Sequence, residues 1–305
     1  MADTGTSPVR LRLGIHIPPT IRPERLRDLA RAAEQAGLDD LWVWEDSFKQ
    51  SGIASATAAL AWTETIRVGI TLLPVPLRNP ALAAMEIATI SRMFPGRFVA
   101  GIGHGIQEWM GQAGVRAASP LTLLREQATA IRRLLQGETV TAHGRYVNLD
   151  QVRLDWPPAV LPPLMLGGSG PKSVALAAEL GDGNLLGNAY TDDEVRAIGE
   201  AVRSAKQSAG RPDADHPQIV ACEIVATGPD AGRRLDAELP LWGAATGRGI
   251  GVAGGAADIA DSALRYASFG VTAYGVQPTA DEPDLEGLIN FLGREVKPLL
   301  TKGIQ

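Results

Sequence analysis

The residues able to do chemistry gather in a few short stretches of the chain. The most specific is Leu166-Gly167-Gly168-Ser169-Gly170-Pro171-Lys172-Ser173, where an apolar run enters a glycine-rich turn and Pro171 stands at the first position of a helix. Consecutive backbone N–H groups at Ser169 and Gly170, the positive end of a helix dipole and the Lys172 ammonium converge there on one anion, which is the chemistry of phosphate binding. The alternative is a tight turn that needs glycine only for its positive φ. A second stretch is Gly101-Ile102-Gly103-His104-Gly105. It fails as a dinucleotide fingerprint, because the third glycine is wrongly spaced, no helix starts at once and no acid stands about twenty residues on. Two roles remain for it. Either it is a strand end stripped of side chains so that a flat ring can lie against backbone, with His104 offering a hydrogen bond, or His104 only satisfies a loop carbonyl.

His16, between Ile15 and Ile17, shares a strand face with Gly14. It is either an ionisable group where substrate would sit or a satisfied core histidine. Glu45 and Asp46 are neighbours, so on a strand they point to opposite sides and form no acid/base couple. Asp46, beyond the last apolar residue, is the candidate for the site, against the reading of a solvated loop carboxylate. The other histidines, His143 and His216, fall in a hairpin and a loop. There is no His-x-His pair and no recognisable ligand spacing, which weighs against a metal-dependent hydrolase built on His16, Asp46 and His104, so no metal residue is assigned.

The elements that must position these residues alternate. Strands are expected at Leu11 to Ile17, Leu41 to Trp44, Ile66 to Leu73, Arg97 to Ile102, Leu164 to Leu166, Gly183 to Gly187, Ile219 to Ala226 and Val271 to Val276, each followed by a helical pattern. Asn79 caps one helix with Pro80 at its first position, and Gly37 ends another. Eight such units argue for one (β/α)8 TIM barrel over residues 1–305, an α/β fold, with a β-hairpin insertion at about 139–156, before strand five. In such barrels the site lies at the C-terminal ends of the strands, where the stretches above fall. Selectivity is expected from the loops after strands one, two and four, from the hairpin and from Trp242 to Gly255.

Composition narrows the function classes. A chain of 305 residues with 45% hydrophobic and 21% charged residues has a core to bury, and a net charge of −5 does not suit nucleic acid. No apolar run reaches the span of a membrane helix, and the first fifteen residues, with Asp3, Thr4 and Gly5, lack the apolar core of a signal peptide. Cys222, the single cysteine, lies in the apolar run Ile219 to Val225 and reads as a buried structural thiol. A cytoplasmic protein is expected.

With these residues laid out, the chain resembles the bacterial luciferase-like superfamily of flavin-type oxidoreductases, and within it the branch that uses the deazaflavin coenzyme F420, such as the methylenetetrahydromethanopterin reductases. The resemblance rests on Leu13-Gly-Ile-His16, Leu41-Trp-Val-Trp-Glu-Asp46, Arg78-Asn79-Pro80, Pro95-Gly-Arg-Phe98 before Gly101-Ile-Gly-His-Gly105, and Gly167-Gly-Ser-Gly-Pro171 with Gly181-Asp-Gly183. It implies a barrel with an insertion and a non-prolyl cis peptide near Ile70-Thr71. It also implies phosphate contacts at Ser169, Gly170, Pro171 and Lys172, ring contacts at Asp46, Leu73, Gly103 and His104, and an acidic cofactor tail running toward Lys172 and Arg248.

The chain departs from its relatives at Ser47 and Ile106, where deazaflavin-dependent sugar-phosphate dehydrogenases carry a histidine and a glutamate, and at His16, where the reductases carry a glutamate. The resemblance therefore implies hydride transfer between F420 and an unsaturated or oxidised small molecule, with His16 the leading proton donor or substrate anchor and Glu108 a weaker candidate. The alternatives are an FMN-dependent monooxygenase served by a separate flavin reductase and a non-catalytic cofactor carrier. Relatives are often dimers, so a homodimer is expected.

Overall fold

The computed structural model describes residues 10–210 and 219–302; the N-terminal stretch and His216 lie outside them. The strands are β1 (Arg12–His16), β2 (Asp40–Val43), β3 (Arg67–Ile70), β4 (Leu73–Pro74), β5 (Phe98–Gly103), β6 (Val140–His143) and β7 (Asn148–Val152), followed by β8 (Leu164–Gly167), β9 (Gly183–Leu186), β10 (Ile219–Ala226), β11 (Val252–Ala253) and β12 (Ala273–Pro278). Eight of them pair in parallel in the order β10, β12, β1, β2, β3, β5, β8, β9, and β9 returns to β10, which closes the barrel. Such strands are buried on both faces, which explains the near-continuous apolar runs in their sequences.

The outer helices are α1 (Leu26–Gln35), α2 (Gly52–Ala61), α3 (Pro80–Met93), α4 (Gln107–Gln112), α5 (Pro120–Leu135), α6 (Pro171–Leu180), α7 (Asp192–Ser208), α8 (Ala231–Glu238), α9 (Ala256–Ser268), α10 (Leu285–Phe291) and α11 (Lys297–Lys302). Their ends follow the expected chemistry. The Asn79 side chain accepts the Ala81 N–H at 2.9 Å to cap α3, and Gly37 takes φ +76° after α1. The pair β6 and β7 is antiparallel and stands off the barrel as the expected insertion. The Glu126 carboxylate on α5 accepts the N–H groups of Arg145, Tyr146 and Val147, which pins the hairpin to the barrel.

The structure corrects several boundaries. The third strand is not continuous from Ile66 to Leu73: β3 stops at Ile70 and β4 resumes at Leu73, pairing with β5. The pattern from Pro229 to Ala244 divides into α8 and a 3-10 turn, Leu239–Trp242, because Pro240 cannot continue an α-helix. The last helix is broken by a π turn, Leu292–Val296. Two elements were not anticipated, α4 and β11.

Inside the barrel Trp42 is the plug. It is fully buried, and a Cβ on Gly69 of the adjacent strand would overlap its ring, so the strand runs bare there to admit the indole. His16 lies over this plug, with its ring 6.1 Å from Trp42 at an interplanar angle of 23°. The floor of the site is thus made of two stacked rings.

Candidate functional site

A cavity of about 370 Å³ opens at the C-terminal ends of the strands, the place this fold reserves for chemistry. One wall is the glycine turn after β8. Gly170 sits at the N-cap of α6 with no side-chain cap and no acid in the first turn. The N–H groups of Ser169, Gly170 and Lys172 make no hydrogen bond among the described residues, and a Cβ on Gly170 would meet nothing within 4 Å. The Asn184 amide, buried beneath, holds the turn by donating to the Gly168 carbonyl at 2.7 Å. Ser169 lines the cavity, whereas Gly170 at the N-cap and Pro171 and Lys172 on α6 are exposed and do not. Arg248 is exposed and pairs with Glu194 at 3.4 Å.

His104 joins this wall, its Nε2 3.3 Å from the Ser173 hydroxyl at the start of α6. Partial burial lowers its pKa, so near neutrality it is the uncharged ring that lines the cavity.

The next wall departs from expectation. Ile70 and Leu73 are buried behind the cavity, and the lining falls to Thr71 and Leu72, which are joined by a cis peptide one residue beyond Ile70-Thr71. The gap between β3 and β4 interrupts the strand alternation, so Thr71 and Leu72 line the cavity and Leu73 does not. Gly103 does not offer bare backbone to a ring. The Leu72 side chain lies over it, 2.5 Å from where a Cβ would stand, and over Gly167 as well. The surface offered to a flat ligand is therefore Leu72 with Thr71.

At the cavity floor His16 is 2% exposed, and burial holds its pKa down at about 3. Its Nδ1 is buried without a partner among the described residues. A histidine this far from protonation is a neutral hydrogen-bonding group and not an acid near pH 7; of its two expected roles, the geometry suits the anchor. Glu45 and Asp46 both line the cavity, because β2 ends at Val43 and strand alternation no longer governs them. Glu45 is clamped by Arg78, with contacts of 2.5 and 2.9 Å, and accepts the Gly52 N–H at 2.8 Å. Asp46 pairs with Lys49 at 3.2 Å. Glu108 lies exposed on α4, outside the residues that line the cavity.

The rest of the lining includes Trp242, from the stretch expected to set selectivity, and Trp44, Cys222 and Gln277, for which no place in the site is expected from sequence. Trp44 and Trp242 meet edge to face at 6.4 Å. Cys222 and Gln277, from β10 and β12, face the cavity beside Asn188. Gln277 carried a readable signal, a polar residue closing the apolar run Ala273 to Val276. Cys222 carried none, since its run reads as core throughout. The hairpin supplies none of the lining residues. Among the described residues no group of three or more histidine, cysteine, aspartate or glutamate side chains is arranged to hold a metal ion, and no helix is long and apolar enough to cross a membrane.

A family model described as luciferase-like monooxygenase matches residues 5–266. The chain belongs to that family. It is 28% identical over 213 residues to the 5,10-methylenetetrahydromethanopterin reductase of Methanolobus tindarius, covering 70% of this chain and 65% of the reductase. It is 32% identical over 203 residues to an F420-dependent glucose-6-phosphate dehydrogenase of Nakamurella multipartita, covering 60% of this chain and 59% of the dehydrogenase. The chain thus spans less than two thirds of the length of these relatives. Among solved structures, an F420-dependent secondary alcohol dehydrogenase in complex with an F420-acetone adduct superimposes with a TM-score of 0.83 at 20% identity, covering 95% of this chain and 99% of that one. That likeness establishes the (β/α)8 fold.

Proposed function

We propose that the protein is an oxidoreductase that takes coenzyme F420 in this cavity and exchanges a hydride with a small organic substrate. The observation that carries this reading is the uncapped start of α6, with its free N–H groups, which leads out from the cavity wall formed by Ser169, His104 and Leu72. A phosphate-bearing, flat cofactor fits that pair of features, the anion on the amides and the ring on Leu72 and Thr71. Names among the relatives support F420 as the cofactor. When bound, the deazaflavin supplies the hydride chemistry.

The chain's own groups supply position and polarity. Ser169 and Gly170 hold the phosphate through backbone N–H groups, and His104 braces the turn through Ser173. His16 offers a neutral imidazole to the substrate from the floor. Glu45 is held in place on the cavity wall by Arg78. The two tryptophans narrow the mouth and limit access of water.

Side-by-side titration of the apo-protein with F420 and with FMN tests this. F420 should bind and FMN should bind more weakly. Tighter binding of FMN, with oxygen-dependent turnover of a substrate by the reduced flavin, would transfer the reading to an FMN monooxygenase. Binding of neither would remove the cofactor site.

A further inference from the structure

The lining that continues from the glycine turn past β9 to β10 and β12 is built differently from the turn itself. The Gln277 side chain lies 2.6 Å from Asn188 Nδ2 and 3.4 Å from Cys222 Sγ, and all three residues line the cavity. One Gln277 amide atom serves both neighbours. With Oε1 in that place it accepts from Asn188 and from the thiol; with the two amides turned over, the nitrogen of Gln277 donates to Asn188 and to the sulfur. In either arrangement one whole amide NH2 group and one amide carbonyl remain without a partner among the described residues. Burial pushes the Cys222 thiol well up, so it stays protonated and the cluster carries no charge.

Around this pair the wall is apolar or neutral. Trp44 and Trp242, in edge-to-face contact with each other, line the same cavity, and His16, uncharged, lies beside Trp44. Among the described residues that line the cavity there is no lysine or arginine. The two lining carboxylates are already paired with Arg78 and Lys49. An anionic group brought into this half of the cavity would lose its water with no cation to meet it, whereas a carbonyl or hydroxyl would find a matching donor and acceptor.

We infer that Asn188 and Gln277, braced by Cys222, form a substrate-anchoring subsite that takes an uncharged ketone or secondary alcohol whose apolar body rests against the Trp44 and Trp242 pair. This rests on the reading of the cavity as the site of an F420-dependent oxidoreductase and adds the class of substrate. The subsite is selective in both directions: an analogue without the oxygen leaves buried amide groups unpaired, and an acid leaves its own charge unpaired.

Calorimetric titration of the F420-loaded protein with cyclohexanone, cyclohexanol and cyclohexanecarboxylate tests the inference. The ketone and the alcohol should bind, and the carboxylate should bind at least about tenfold more weakly, on the scale of one unmatched buried polar group. Asn188→Leu and Gln277→Leu should each weaken the ketone about tenfold on the same scale while F420 affinity stays within about twofold of wild type. Unchanged F420 affinity also establishes that the variants are folded, and Gln277→Glu, which keeps the side-chain shape, serves if Gln277→Leu does not fold. Carboxylate binding equal to that of the ketone, or unaltered ketone affinity in the Asn188 and Gln277 variants, would overturn the subsite. If F420 itself fails to bind wild type, the cofactor reading falls. The same ketone titrations without cofactor then decide the subsite on their own, loss of binding in the variants supporting it and unaltered binding rejecting it.

Discussion

Replacing Arg78 by methionine should destabilise the protein by about 3–5 kcal/mol, the range for removing one partner of a buried pair. The magnitude follows from the surroundings of Glu45. The guanidinium meets both carboxylate oxygens, at 2.5 and 2.9 Å, and the side chains are only 14% and 9% exposed, so solvent screens the pair little. Once Arg78 is gone, the Gly52 N–H at 2.8 Å is the hydrogen bond left to a carboxylate on the cavity wall, and one N–H does not replace a bidentate cation. Glu86 also loses its contact at 3.1 Å, but it is more exposed and adds less. Urea unfolding followed by circular dichroism measures the change, and the double variant Arg78→Met, Glu45→Gln separates the causes. If the cost is mainly an uncompensated charge, neutralising Glu45 should restore about 1–3 kcal/mol. A single-variant cost below about 1 kcal/mol, or a double variant whose losses simply add, would refute the reasoning.

Three further outcomes are expected. Gly69→Ala should cost about 1–3 kcal/mol, because its methyl would overlap the buried Trp42 ring; an unchanged urea midpoint would mean that the plug is free to shift. His16, held at about 3 in the fold against an ordinary value near 6.5, stays neutral while the unfolded chain takes up a proton, so its contribution is whole above 6.5 and is lost as pH falls from 6.5 toward 3. The slope is about 1.4 kcal/mol per pH unit. It should vanish in His16→Phe, and the His16 ring resonances should not shift between pH 8 and 5; a midpoint near 6.5 would reject the burial argument. Glu223 has its carboxyl pKa raised by burial beside the hydroxyls of Ser262 and Tyr274. Its contribution is whole below the ordinary carboxyl value and is lost as pH climbs above it toward the raised folded value, so stability should fall over that window in wild type relative to Glu223→Gln. Parallel pH profiles for the two proteins would contradict this.

The barrel was legible because a parallel strand buried on both faces writes an apolar run and its helix writes a 3.6-residue stripe, and that alternation held through eight units. The glycine turn was legible for a related reason: strand, glycines and Pro171 occur in the order in which the backbone uses them. What escaped depends on packing across the barrel. The apolar pattern from Ile66 to Leu73 does not mark the gap between β3 and β4, and the cavity is met by Leu72 and not by Leu73, where the resemblance implies a ring contact. Gly103 suggested an open backbone, yet its missing side chain makes room for Leu72; a glycine in sequence records that space is needed without recording what fills it. His16 shows the converse. Its place at the strand end was readable, but its charge state is set by Trp42 beneath it and Trp44 beside it, residues 26 and 28 positions away in the chain, which only the closed barrel brings to its ring. The strand ends can therefore be read from one-dimensional pattern, while the chemistry of each end is decided by neighbouring strands, and for that reason the neutral wall of Asn188, Cys222 and Gln277 emerges only in three dimensions.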